Sequence, residues 1–161
     1  MLGIVLLYVG IVLINNGISR LYNIDGKSTA VMNIFTGALA VVIDTVNVLQ
    51  GQYYAVGTGL LFGFTYLFIA INDIFDLDTR LYGWYSLFVA INTIPCAYLS
   101  LTQDSDWRMA IIWVLWGILW LTAFIEIVLK KGLGKFVPYL AIFEGIITAW
   151  IPGFLMLVNK W

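Results

Sequence analysis

Apolar residues run along this chain in six stretches of about 20 residues, each long enough to cross a hydrocarbon core of ~30 Å as a helix. The stretches are 2–19, 29–49, 54–72, 82–101, 109–129 and 136–158. Short polar connectors separate them: 23–28 with an Asp-Gly pair, 50–53, 76–80, 103–108 and 130–135. The pattern predicts an all-α integral membrane protein of six transmembrane helices, organised as a single domain over 1–161 with no extramembrane domain. The first stretch lacks the basic amino-terminal region of a secretory signal and exceeds a typical signal core, so it reads as a retained helix.

Composition agrees with this class. The chain is 62% hydrophobic and 11% charged, with a mean hydropathy of +0.97, values outside the range of soluble domains. A net charge of -1 supplies no basic surface for nucleic acid. The absence of histidine excludes imidazole metal ligands, Ser-His-Asp triads and histidine pH sensing, and no cofactor or metal site is expected. Cys96 is the single cysteine, so an internal disulfide is excluded.

Charge placement sets the expected orientation. With both termini outside, the cytoplasmic connectors carry Arg20, Lys27, Arg80, Lys130, Lys131 and Lys135, leaving Arg108 and Lys160 outside. Trp107, Trp161, Tyr53 and Tyr54 fall near span ends, where interfacial aromatics gather.

Candidate chemistry lies inside the spans. Trp113, Trp116 and Trp120 form one stripe about 10 Å long on the fifth helix, suited to core packing, to lipid contact or to lining a narrow passage. Counted from the outer end, Leu6, Trp113 and Trp150 fall in the outer third, and Leu13, Tyr66 and Trp120 share a second, deeper level. Glu126 and Glu144 stand in apolar sequence in the cytoplasmic halves of their helices. They read either as acceptors facing a wet cavity or as caps for backbone and ring donors. Asp44 is also intramembrane, with no site assigned to it. Gly59 with Gly63, and Gly10 with Gly17, mark close helix approach, while Pro95 and Pro152 predict local helix breaks. Asn16, Asn72 and Asn92 read as interhelical hydrogen-bonding residues, the last two within the related segments LFIAIN and LFVAIN.

Ordered blocks through all six spans resemble the bacterial UreI/AmiS urea and amide channel family. They are 1–14 (MLGIVLLYVGIVLI), 27–33 (KSTAVMN), 58–67 (TGLLFGFTYL), 84–93 (WYSLFVAINT), 117–126 (GILWLTAFIE) and 144–152 (EGIITAWIP). The resemblance implies passive urea permeation through each protomer and a homo-oligomer, a hexameric ring around a lipid-filled centre, in the bacterial cell membrane. It implies urea as permeating solute, membrane lipid as surroundings and functional association with cytoplasmic urease. The family's substrate-binding pore lining falls on Leu2, Leu6, Val9, Leu13, Phe62, Tyr66, Trp113, Trp116, Leu119 and Trp120, with Glu144 as a polar contributor. No nucleophile is needed, so the expected protein is not an enzyme. Gastric members carry a long histidine-bearing external connector between helices two and three and open in acid. Here that connector is nearly confined to 50–53, so a channel open near neutral pH is expected. A short-chain amide channel and a proton-coupled urea or amide transporter are the alternatives.

Overall fold

A computed structural model describes residues 1–161 and contains helices without strands. The helices are α1 (Leu2–Tyr22), α2 (Gly26–Leu49), α3 (Tyr53–Phe75), α4 (Arg80–Thr102) and α5 (Trp107–Ile127). The last span, Phe136–Leu157, comprises α6 (Phe136–Glu144), a π-helical segment (Gly145–Trp150) and α7 (Ile151–Leu157). All six spans are long and apolar enough to cross a membrane, as the hydropathy pattern predicts. Large apolar side chains such as Phe35, Phe88 and Phe143 are exposed on them, as lipid-facing surface requires.

Several helices run past their apolar stretches because polar residues cap them. The Asp25 carboxylate accepts from the Ser28 N–H at 3.2 Å and that of Asp106 from the Met109 N–H at 3.0 Å, so α2 and α5 begin before their apolar runs. Asn23 and Asp76 close α1 and α3 in the left-handed region, at φ 53° and 51°, their N–H groups returning to the Ser19 and Asn72 carbonyls.

The chain divides into two compact units: Met1–Leu77 with Ala141–Trp161, and Asp78–Leu140. In the first, α1 meets α2 through polar pairs. The Asn16 and Asn33 amides exchange N–H···O bonds of 3.1 and 2.8 Å, and the Ser19 and Thr29 hydroxyls also pair. Against the last span, α1 approaches through glycine. A Cβ added at Gly10 would lie 2.8 Å from the Trp150 backbone nitrogen, and one at Gly153 would lie 2.6 Å from that of Leu7.

Helices α2 and α3 are equally close. Gly37 meets the Gly63 carbonyl, Gly63 meets Ala40, and the Asp44 carboxylate fills the space beside Gly59. Asp44 is buried and accepts from Asn47 Nδ2 at 3.3 Å. An alanine at 59 must therefore displace that carboxylate and cost the assembly about 1–3 kcal/mol. Gly59→Ala is expected to lower the melting temperature, and Asp44→Ala in the same chain to restore much of it. A thermal-shift double-mutant cycle checks this, since strictly additive effects would mean that the two positions do not compete for space.

In the second unit, α4 and α5 close on each other at one end and near the middle. Gly83 receives Ile127 and Val128, Gly117 receives the Thr93 hydroxyl, and Trp84 meets Phe124 edge-on with centroids 5.3 Å apart. Pro95 does not break α4, which is helical from Arg80 to Thr102. The expected interruption is absent because proline deletes one N–H bond while the rest of the helical ladder continues.

Candidate functional site

In the first unit the stripe Leu2, Leu6, Val9 and Leu13 follows alternating steps of four and three residues, so it occupies one side of α1. Leu6, Val9 and Leu13 are buried, whereas Leu2 is exposed at the helix start. Phe62 and Tyr66, one turn apart on α3, are also buried.

Glu144 ends α6, is fully buried, and neither of its carboxyl oxygens has a hydrogen-bond partner on the protein. Its own backbone is well occupied: the carbonyl accepts from the Thr148 hydroxyl at 2.6 Å. The turn that follows is π-helical, with the Ile151 N–H reaching the Ile146 carbonyl five residues back. Gly145 packs so tightly on α1 that an added Cβ would lie 2.8 Å from the Gly10 carbonyl and 3.0 Å from the Leu13 Cβ. Glu144 is thereby fixed at the depth of Leu13, beside an apolar stripe, with two strong acceptors unspent.

In the second unit, Trp113, Trp116 and Trp120 are all buried on α5 and Leu119 is half-buried. Trp113 and Trp116 meet edge to face, with centroids 5.0 Å apart and planes at 87°. Glu126 differs from Glu144. It accepts the Leu133 N–H at 3.3 Å, so its carboxylate secures the connector between α5 and α6. Of the two readings open for the intramembrane glutamates, capping describes Glu126, and an acceptor left available describes Glu144.

The three asparagines separate as well. Asn16 makes the interhelical bond expected of it, and Asn92, half-buried, instead returns its amide N–H to the Phe88 carbonyl of its own helix at 2.8 Å. Asn72 is buried with neither amide atom bonded. No group of three or more His, Cys, Asp or Glu side chains is placed to hold a metal ion.

Outside the spans, Asp78 is held by Arg80, whose Nε donates to its two oxygens at 3.0 and 2.8 Å. These hydrogen bonds lower the Asp78 carboxyl to about 2. Because the folded value lies below the ordinary one, any stability this contact adds is present above the ordinary carboxylate range and is lost only as pH falls toward 2. Asp78 itself therefore does not titrate between pH 7 and 5.

Six membrane-length spans with buried aromatic and aliphatic stripes and an unpaired carboxyl at Glu144 describe a polytopic membrane protein. The AmiS/UreI family transporter profile matches residues 1–160. Two strains of Helicobacter pylori contain a relative named acid-activated urea channel, 52% identical with both chains covered completely. A protein of Mycolicibacterium smegmatis assigned to amidate-substrate transport is 40% identical over 99% of this chain and 78% of its own length. Among solved structures, the H. pylori urea channel in a closed state superposes with a TM-score of 0.95 at 55% identity, covering both chains completely. Its crystal structure superposes with a TM-score of 0.94 at 56% identity, covering 100% of this chain and 99% of that one. The chain belongs to the AmiS/UreI family, a family of membrane transport proteins and not of enzymes.

Proposed function

We propose that residues 1–161 form a single channel domain that passes urea passively across the bacterial cytoplasmic membrane, both termini outside, supplying cytoplasmic urease. The observation that carries this reading is Glu144, a fully buried carboxyl with two unpaired acceptors, whose neighbour Gly145 packs on α1 at Leu13, one end of the Leu6, Val9 and Leu13 stripe. Urea's four N–H donors match acceptors held in such apolar surroundings. A hydrated ion finds too few replacements for its water there.

The proposed lining is Leu2, Leu6, Val9, Leu13, Phe62, Tyr66, Trp113, Trp116, Leu119 and Trp120 with Glu144. Apolar walls and ring faces strip water from urea, and weak serial contacts let it leave as readily as it enters. The expected assembly is a hexameric ring around lipid. The relative assigned to amidate substrates supports a second reading, a short-chain amide channel with the same lining.

Stopped-flow light scattering on proteoliposomes with urea and acetamide tests both readings. Urea faster than acetamide supports the first, the reverse order the second, and uphill uptake driven by an imposed pH gradient would replace both with a coupled transporter. The chain has no histidine and its α2–α3 connector is short, so urea permeability is expected to change less than about twofold between pH 7 and 5. A steep rise toward pH 5 would overturn the proposal that the channel is not acid-gated.

A further inference from the structure

A second polar group in the first unit is left unspent by the protein. Asn72 is 5% exposed, and both its amide nitrogen and its carbonyl oxygen lack a partner. Buried amides are ordinarily bonded, because each unmade hydrogen bond in apolar surroundings costs free energy. Asn92, at the matching place in the related segment, bonds back to its own helix, whereas Asn72 makes no such bond.

The position of Asn72 on α3 separates it from the helix packing. At about 100° per residue it lies roughly half a turn from Gly63, the middle of the stripe that packs on α2. Phe62 and Tyr66 fall within roughly 120° of it on the same helix. Asn72 stands about 5 Å from the end of α3, and Glu144 about 12 Å from the start of α6, both measured from the same membrane side. The two unspent groups are thus at successive depths.

The protein also displays what an asparagine amide does with a second amide edge. Asn16 and Asn33 exchange two N–H···O bonds across α1 and α2. Urea carries the same edge, an N–H beside a carbonyl. A carboxylate accepts and does not donate, so Glu144 in that form leaves the urea oxygen without a partner, and Asn72 has the missing donor. We propose that Asn72 is a specificity-determining contact for urea on the cytoplasmic side of Glu144. Its Oδ1 accepts a urea N–H and its Nδ2–H donates to the urea carbonyl. This inference rests on the reading of the chain as a urea channel.

Urea permeability and melting temperature of the full-length protein, wild type against Asn72→Leu and Asn72→Ala, test it. Both variants are expected to pass urea about tenfold more slowly per reconstituted protein. Asn72→Leu should melt no lower than wild type, since it removes an unpaired buried amide at nearly constant size. Slow urea flux with undiminished stability supports the contact, and a packing residue would not produce that combination. Asn72→Ala within twofold of wild-type flux overturns the inference, as does an Asn72→Leu protein that melts lower or fails to assemble. Wild-type liposomes no faster than empty ones would instead remove the urea-channel reading and this contact with it.

Discussion

Glu144→Leu is expected to reduce urea permeability by about 10- to 100-fold while the protein still assembles. The wild-type carboxyl has no protein partner, so removing it strands no donor, and the leucine occupies a similar volume in apolar surroundings. In the proposed channel, what is lost is the acceptor that would replace water on the N–H groups of a dehydrating solute. Glu144→Gln retains one acceptor oxygen and should lose less. Stopped-flow permeability normalised to reconstituted protein, together with the melting temperature, reads both effects. A Glu144→Leu protein with wild-type flux would take Glu144 out of the path.

The largest structural loss is expected from Gly10→Ala. At Gly59 an added methyl meets a side-chain carboxylate, but at Gly10 it meets the Cα and N of Trp150, and backbone inside a helical span cannot rotate aside. A penalty of about 2–3 kcal/mol is expected, seen as a lower melting temperature and a reduced yield of assembled protein. Gly57→Ala is the control, because an added Cβ there meets nothing within 4 Å. If both variants melt alike, the α1 approach to the last span is looser than described.

Much of the fold was legible in the sequence because in lipid a continuous apolar run has to be a helix. The helix ends were less so. Asp25 and Asp106 read as connector residues until their carboxylates are seen on the N–H groups of Ser28 and Met109. Pro95 was expected to interrupt α4, yet the loss of one bond left the helix whole.

In the candidate site, spacing placed the three tryptophans on one face, and all three are buried. Periodicity could not separate Glu126 from Glu144, since both stand in equally apolar stretches. What distinguishes them is tertiary: the chain folds back so that the Leu133 N–H reaches the Glu126 carboxylate, and no donor reaches the Glu144 carboxyl. Asn72 and Asn92 carry the same lesson in nearly identical hexapeptides. The π-helical segment left only an indirect trace, Pro152.

That segment gives the last span a rotational offset. A π turn holds roughly one residue more than an α turn, which shifts everything beyond it by about 100° around the helix axis relative to an unbroken α-helix. Glu144 lies before the offset and Gly153, pressed against the Leu7 amide, lies after it. The two ends of the last span are therefore aimed independently, the α6 end carrying the unpaired Glu144 carboxyl and the α7 end set by where only a hydrogen atom fits. Shortening the span by a single residue between them would restore a regular helix and force a choice between the two alignments.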